Sequence, residues 1–345
     1  MKKLSRRDFL RVSATTLGGV MFLPFGSYLD SFDDSNLVRV TTNSVSVYSM
    51  PDDQSVITRQ LFRDELIHVY QEVNSGTPAY NPVWYQVWGG YAHRSRLQKV
   101  KVLFNKPLIT VSEGKRQLAE LTVPFTQAMR YTKTYGWQPN LRLYYGSVHW
   151  IDRVEEGPDG QPWYRIFDEL VGFPYHVTAI HLRPISSEEW LPITPDVPLE
   201  DKRIEVNLGT QILTAYEYDQ IVFQTNISSG IPAGRPKPNV ISTKTPSGEF
   251  RILEKYPSKH MGNGALFAGI DDYELPGVPW TSFFTEVGHA FHGTYWHDNF
   301  GTPMSHGCIN MRTEEAKWLF RWVRPMHDPN RIYTTGSGTQ VLINT

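Results

Sequence analysis

Residues 292–310 read HGTYWHDNFGTPMSHGCIN, and they contain the only cysteine among the 345 residues of the chain, Cys308. Two histidines and two glycines accompany this thiol: His292, Gly293, His306 and Gly307. A thiol needs a nearby imidazole to become a thiolate at neutral pH, and glycine neighbours let backbone N–H groups approach a developing oxyanion. The pattern therefore indicates a cysteine nucleophile rather than a buried structural cysteine.

The segments around this stretch show the patterns of strands and of one helix. Residues 204–208 and 211–215 alternate apolar and polar residues, and Gly209-Thr210 between them suits a hairpin turn. Residues 287–292 read as a strand that ends at Gly293. Residues 313–323 predict a helix that Thr313 caps and Pro325 ends. The local pattern therefore predicts a mainly β domain with one helix after the cysteine.

The stretch resembles the signature of the bacterial L,D-transpeptidases, which is a His-Gly, a gap, and then Ser/Thr-His-Gly-Cys-hydrophobic-Asn or Arg. Three more segments resemble parts of that domain: residues 204–216 its opening hairpin, residues 245–250 its Thr-Pro-x-Gly-x-Phe turn, and residues 261–264 its glycine-rich loop. The resemblance covers about residues 202–344. It implies a β-sandwich catalytic domain with a short helix after the catalytic cysteine.

The resemblance also implies a reaction. In that family the cysteine attacks the carbonyl between an L-configured and a D-configured centre of a peptidoglycan stem peptide, D-alanine leaves, and a thioester forms. An amine of a second stem then takes the acyl group, which produces a cross-link. This ping-pong acyl transfer uses no cofactor and no metal.

Two histidines compete for the role of general base. His306 precedes Cys308 by two residues and shares its face if the segment is extended, whereas His292 reaches the thiol only through the fold. The resemblance favours His292 as base and acid, with the carbonyl of Gly293 orienting its second ring nitrogen. His306 would then shape the pocket, and the backbone N–H groups of Gly307 and Cys308 would form the oxyanion hole.

Other residues of the stretch are candidates for substrate binding: Ser305, Asn310, Arg312, Tyr295 and Trp296. Ser305 and Asn310 also suit hydrogen bonds that fix the loop. Arg312 would meet a stem carboxylate or lie on the surface. The two aromatic residues would line a substrate cleft or pack in the core.

A metal site is the alternative explanation for the histidines of this stretch. His289, His297 and Asp298 are the residues that suggest one, but their spacing fits no usual zinc pattern. The sequence therefore predicts no metal.

The N-terminus resembles an export signal. Residues 5–10 read SRRDFL, which is close to the twin-arginine pattern, and a weakly apolar run follows at residues 12–25. That run is too short and too polar for a confident membrane span. Residues 1–36 are therefore predicted to direct export to the cell wall or the outer face of the membrane, either as a signal or as a weak anchor.

Two further units are predicted between this segment and the catalytic domain at residues 202–345. Residues 37–100 alternate as short strands and resemble the bacterial SH3-like small barrel, and residues 101–190 repeat the order with an insertion at residues 123–139. Each copy carries a Trp-Tyr pair that is either core or a face for glycan, peptide or wall polymer. Residues 191–201 read as a proline-rich linker.

Composition narrows the choice of function. The net charge of −1 gives no reason to propose a nucleic-acid partner. Three functions stay open: an L,D-transpeptidase, an L,D-carboxypeptidase that uses water as acceptor, and a non-catalytic wall-binding protein. A papain-like endopeptidase is disfavoured, because its cysteine usually precedes its histidine and here His292 comes first.

Overall fold

The computed structural model describes residues 36–231, 243–262 and 274–345, and the mainly β fold class predicted from the sequence is confirmed. The predicted export segment, residues 1–36, lies outside the described residues except for Asn36. Asn263 and Gly264 of the predicted glycine-rich loop also lie outside them. In the described ranges, no helix combines the length and the apolar content that a membrane span requires.

The first β unit, residues 37–100, consists of two small sheets. Its strands are β1 (Leu37–Val40), β2 (Ser44–Tyr48), β3 (Ile57–Phe62), β4 (Leu66–His68), β5 (Gln71–Asn74), β6 (Val83–Val87), β7 (Gly90–His93) and β8 (Leu97–Val100). One sheet has the order β4-β1-β8 and the other β3-β2-β7-β6-β5. Trp84 and Tyr85 are buried, so this pair serves the interior of the unit.

The second β unit is one seven-stranded sheet. Its strands are β9 (Gln117–Leu121), β10 (Phe125–Thr132), β11 (Gly136–Tyr144), β12 (Val148–Glu156), β13 (Pro162–Phe167), β14 (Tyr175–Thr178) and β15 (Leu182–Pro184), in the order β11-β10-β14-β13-β12-β9-β15. The segment read as an insertion forms most of the β10–β11 hairpin, which joins the sheet through β14. Trp163 and Tyr164 are again buried.

The C-terminal part is built from two five-stranded sheets and one helix. Its elements are β16 (Lys202–Asn207), β17 (Ile212–Glu217), β18 (Gln220–Asn226), β19 (Gly248–Arg251), β20 (Glu254–Met261), β21 (Leu275–Phe283), β22 (Ala290–Gly293), β23 (Ile309–Met311), α1 (Thr313–Trp322), β24 (Thr334–Thr335) and β25 (Gln340–Asn344). The sheet orders are β18-β17-β16-β25-β19 and β23-β22-β21-β20-β24. The last strand lies parallel to the first, which closes the domain.

Two local details differ from the sequence-based expectation. The β16–β17 hairpin forms, but its left-handed residue is Gln211, with φ 56°, and not Gly209. Helix α1 begins with Thr313 as its first residue, and Arg312 takes the cap position without a side-chain hydrogen bond. The buried residues of the helix are Ala316, Leu319, Phe320 and Trp322.

The core of the C-terminal part continues into the second β unit. Val148 and Trp150 of β12 belong to the same apolar cluster as Trp280 and Phe320. Residues 191–201, read as a linker, pack along helix α1, where the Ile193 N–H donates to the Arg321 carbonyl at 3.0 Å. Burial of shared apolar surface therefore holds the second β unit and the C-terminal part together.

Candidate active site

The ring of His292 is buried on β22, and its two nitrogens have different surroundings. Nδ1 lies 3.0 Å from the carbonyl oxygen of Gly293, and a carbonyl only accepts, so Nδ1 carries the proton. Nε2 has no hydrogen-bond partner among the described residues. Burial lowers the pKa of His292 to about 4, against the opposing effect of the Gly293 carbonyl. The ring is therefore neutral, with a lone pair on Nε2.

Cys308 is half-buried and precedes β23, which runs parallel to β22 and pairs His292 with Asn310. Its thiol donates to the Gly288 carbonyl over 3.6 Å and not to His292. Burial raises the pKa of the Cys308 thiol to about 11, while a hydrogen bond from the backbone of Ala290 acts to lower it. Both shifts favour a protonated thiol beside a strand that carries a neutral imidazole.

The hydroxyl of Ser305 fixes the turn that carries the thiol. Ser305 Oγ donates to the Cys308 carbonyl at 2.5 Å and accepts from the Gly307 N–H at 3.1 Å. Gly307 has φ +120°, a conformation that side chains other than glycine rarely adopt. Because the Gly307 N–H already has a partner, the N–H of Cys308 is the better candidate for an oxyanion donor.

A second hydroxyl, that of Thr245, supports the turn from outside. Thr245 Oγ1 donates to the Gly307 carbonyl at 2.8 Å and accepts from the Gly230 N–H at 2.8 Å. Gly230 packs so closely that a Cβ there would lie 2.8 Å from the Gly307 Cα. The sequence identified Thr245 only as part of a reverse turn.

Asn310 and His297 form a buried pair beside Cys308 and His292. The Asn310 carboxamide lies 2.9 Å from His297 Nε2, and His297 Nδ1 accepts from the Asn299 N–H at 3.2 Å. Burial, with smaller contributions from Arg96 and His292, lowers the pKa of His297 to about 3. His297 is therefore a neutral structural ring, which spacing alone did not reveal.

The candidate substrate-binding residues separate into different environments. Ser305 and Asn310 are buried and hold the turn and the strand. Arg312 pairs with Glu315 at 3.1 Å and lies over the Phe300 ring. The Arg312 guanidinium therefore interacts with Glu315 and Phe300.

The two aromatic candidates also differ. Tyr295 lies in the interior and not along a cleft: only 2% of it is exposed, and its hydroxyl donates to the Pro276 carbonyl at 3.0 Å. Contacts with the N-terminal units bury it, since its ring lies 6.2 Å from that of Tyr144. Trp296 is half-buried, with its ring 5.6 Å from that of His292, so it is the aromatic candidate beside this histidine.

The other histidines do not gather into a metal centre. His306 is exposed on the turn, and His289 Nδ1 lies 3.0 Å from Thr285 Oγ1. Over the described ranges, no three His, Cys, Asp or Glu side chains converge as metal ligands would.

Comparison with known proteins identifies the class of this domain. Residues 201–343 match the model of the YkuD family, which is described as an L,D-transpeptidase catalytic domain. This part of the chain therefore matches an L,D-transpeptidase catalytic domain; within it His292 lies on β22, and Cys308 directly precedes the neighbouring strand β23. A comparison with curated protein sequences gave no significant match.

Several solved structures are similar to parts of the chain. The L,D-transpeptidase (residues 123–326) from Xylanimonas cellulosilytica is 26% identical, with 41% of this chain and 59% of that one covered and a TM-score of 0.30. The catalytic domain of the E. faecium L,D-transpeptidase is 25% identical, with 42% and 97% covered and a TM-score of 0.30. The L,D-transpeptidase from Mycobacterium smegmatis is 15% identical, with 81% and 99% covered and a TM-score of 0.32.

Proposed function

We propose that this protein is a peptidoglycan L,D-transpeptidase that cross-links stem peptides through a thioester on Cys308. The observation that carries the proposal is the state of His292. Its Nδ1 proton is held by Gly293, and its Nε2 lone pair is buried without a partner in the described structure. A buried acceptor without a donor is unfavourable by about 1–3 kcal/mol, which is consistent with a site that awaits a proton.

The acylation step follows from this geometry. The Cys308 thiol turns from the Gly288 carbonyl toward the substrate, and its proton passes to His292 Nε2 as the sulfur attacks the carbonyl carbon. The carbonyl becomes an oxyanion that the Cys308 N–H stabilises. The C–N bond to D-alanine then breaks, His292 returns the proton to the leaving amine, and a thioester remains.

The two pKa shifts decide when the proton moves. Burial disfavours both the thiolate and the imidazolium, with the Cys308 pKa raised to about 11 and the His292 pKa lowered to about 4. Both shifts therefore disfavour a resting ion pair. We infer that proton transfer accompanies attack, so that His292 acts as a general base in the step itself.

The second half-reaction returns the enzyme to its starting state. An amine of another stem peptide attacks the thioester carbonyl, His292 takes the proton of that amine, and the C–S bond breaks as His292 passes the proton to the sulfur, which leaves as the thiol. A peptide bond forms and the thioester breaks, so no external energy source is needed. Water in place of the amine would make the protein an L,D-carboxypeptidase, and the same residues would act in the same roles.

Export and wall contact are part of the proposal. The Arg6-Arg7 pair supports delivery of the folded chain by the twin-arginine route to the compartment that contains peptidoglycan. The two N-terminal β units would act there as spacers or as contacts to wall polymer.

Product analysis distinguishes the acceptors. The purified protein is incubated with a tetrapeptide stem that ends in D-alanine, with and without a second stem that supplies the acceptor amine. A transpeptidase gives a cross-linked dimer only when the acceptor stem is present, whereas a carboxypeptidase gives a free tripeptide in both cases. If the wild-type protein forms neither the dimer nor the tripeptide, the result would contradict an enzymatic role. Cys308→Ala serves as the blank.

A further inference from the structure

The segment that connects the base to the nucleophile is held by the first β unit. This connecting loop, residues 294–301, follows the strand of His292 and leads to the turn of Cys308. From the first β unit, Arg39 Nη2 donates to the Tyr295 carbonyl at 3.1 Å. The Asp298 N–H donates to the Ser95 carbonyl at 3.1 Å. The loop therefore touches a unit that lies about 200 residues earlier in the chain.

Asn81 makes the most direct of these contacts. It is 1% exposed, and its Nδ2 donates to Asn299 Oδ1 at 2.8 Å and to the Asp298 carbonyl at 3.2 Å. Its own Oδ1 accepts from Arg94 Nε at 2.6 Å, and its carbonyl oxygen lies 2.7 Å from His93 Nε2. The side chain is thus held on both sides with its amide hydrogens directed at the loop.

The loop passes this constraint to the reacting residues. The Asn299 carbonyl accepts from Ser228 Oγ at 2.5 Å, and Ser228 exchanges two backbone hydrogen bonds with Asn310 at 2.9 and 3.0 Å. The Asn299 N–H also fixes His297, which contacts Asn310. Asn310 lies opposite His292 in the strand register, two residues after Cys308.

A second route reaches the base itself. Trp296 lies in the connecting loop, and its ring centroid is 5.6 Å from that of His292. The neighbouring Tyr295 is fixed through its carbonyl by Arg39, whose guanidinium also pairs with Asp64 at 3.0 Å. Arg39 is 2% exposed, so both of its contacts act away from solvent.

We propose that Asn81 is a positioning residue for the acyl transfer, and that the first β unit completes the active site by holding the connecting loop. This inference rests on the proposed function of Cys308 and His292. Asn81 acts only through Asn299 and the loop. A small displacement of reacting groups lowers rates about a hundredfold in enzymes, so loss of this contact has a large kinetic effect.

The test uses the full-length chain and four variants: Asn81→Ala, Asn299→Ala, the double variant, and Asn74→Ala as control. Asn74 is an exposed residue of the same unit, and its carboxamide accepts from the Gly76 N–H at 3.0 Å. Each protein is assayed for acyl transfer and for the pH profile of Cys308 alkylation by iodoacetamide. Thermal unfolding is recorded for each to confirm that it is folded.

Asn81→Ala is expected to reduce acyl transfer about ten- to a hundredfold, whereas Asn74→Ala stays within about twofold. A loosened loop also exposes the thiol, so the apparent pKa of alkylation falls by about half a unit or more. The double variant is expected to lose less activity than the product of the two single losses, because the Asn81–Asn299 hydrogen bond is shared by both residues. If Asn81→Ala does not fold, Asn81→Asp is used, which keeps the oxygen that Arg94 contacts and removes the donor.

Two results would overturn the proposal. One is that Asn81→Ala behaves like Asn74→Ala in both transfer and alkylation. The other is that the fold-loss of acyl transfer in the double variant equals the product of the fold-losses in the two single variants. The alkylation profile requires no stem peptide. A protein without transferase activity would therefore contradict the proposed function, while its alkylation profile would still test the positioning role of Asn81.

Discussion

Thr245 Oγ1 lies 2.8 Å from the carbonyl oxygen of Gly307, the residue that precedes Cys308. The same hydroxyl accepts from the Gly230 N–H at 2.8 Å, and Thr245 is 1% exposed. One buried hydroxyl therefore joins three separate chain segments at the turn of Cys308. This bridge makes Thr245 a support of the active site as well as of the fold.

Replacing this hydroxyl tests the bridge. Thr245→Val keeps the shape and leaves two buried backbone groups unsatisfied, so it should destabilise the protein by about 1–3 kcal/mol and lower acyl transfer about tenfold. Thr245→Ser keeps the hydroxyl, so it should retain most of the wild-type stability and most of the acyl transfer. The control is Thr126→Val, which removes another buried hydroxyl, 2.8 Å from His181 Nδ1 in the second β unit. If both valine variants lose transfer equally, Thr245 has no specific connection to the turn.

The fold follows from local pattern where the pattern is strong. Helix α1 and the β16–β17 hairpin were predicted because their apolar periodicity is regular over many residues. Strands β3 and β5 carry a weaker signal, because both are edge strands with mostly exposed residues, which removes the alternation. Edge strands often carry polar residues because their free edge meets water.

The candidate site was only partly readable from the sequence. Cys308, His292 and their glycines stand in one ordered stretch, so their chemistry could be inferred there. The Thr245–Gly307 contact spans 62 residues and the Asn81–Asn299 contact spans 218. A local sequence pattern therefore predicts neither contact. Burial of Tyr295 also depends on such distant contacts, because another unit covers it.

The electrostatics of the pair also came from the fold and not from the motif. The sequence suggested that an imidazole would help to ionise the thiol, whereas burial keeps both groups neutral. Replacing His292 should therefore remove the base without removing a charge. His292→Ala is expected to reduce acyl transfer about a hundred- to ten-thousandfold and leave the apparent pKa of Cys308 alkylation within about half a unit.

His306→Ala is the matched control for this prediction, since His306 is exposed on the same turn. It should retain more transfer than His292→Ala. Wild-type alkylation should continue to accelerate above pH 9. A wild-type profile that levels off near neutral pH, and loses that plateau in His292→Ala, would instead indicate a resting thiolate–imidazolium pair.

Buried histidines should make the protein sensitive to mild acid. Burial is the main cause that lowers the pKa of four histidines to about 4 and of His297 to about 3; the four are His149, His181, His292 and His327. Unfolded histidine titrates near pH 6.5, so between about pH 6.5 and pH 4 the unfolded state binds more protons. The free energy of unfolding should therefore decrease as the pH falls through this window.

Each of these histidines contributes up to about 3 kcal/mol to this decrease, because one pKa unit corresponds to about 1.4 kcal/mol. His260 opposes it: burial lowers its pKa, but Asp168 and Glu274 together raise it above the ordinary value. Urea unfolding at pH 7.5 and pH 5.0 measures the net effect. Stability that is equal or higher at pH 5.0 would contradict this prediction.

Export should depend on the arginine pair near the N-terminus. Changing both Arg6 and Arg7 to lysine is expected to retain the protein in the cytoplasm, because the twin-arginine pattern contains two adjacent arginines. Arg11→Lys, outside the pair, is the control and should leave export unchanged. Fractionation of cells followed by immunoblotting measures the distribution. A double-lysine protein that still reaches the wall would mean that another route exports it.

The acyl-enzyme is the central claim, and intact-protein mass spectrometry tests it most directly. The wild-type protein is mixed with a tetrapeptide stem that ends in D-alanine, in the absence of an acceptor amine. We expect a mass increase equal to the stem acyl group without D-alanine, located on Cys308 by peptide mapping and absent in Cys308→Ala. Consumption of the stem peptide by Cys308→Ala at the wild-type rate, or the same adduct in that variant, would contradict the account.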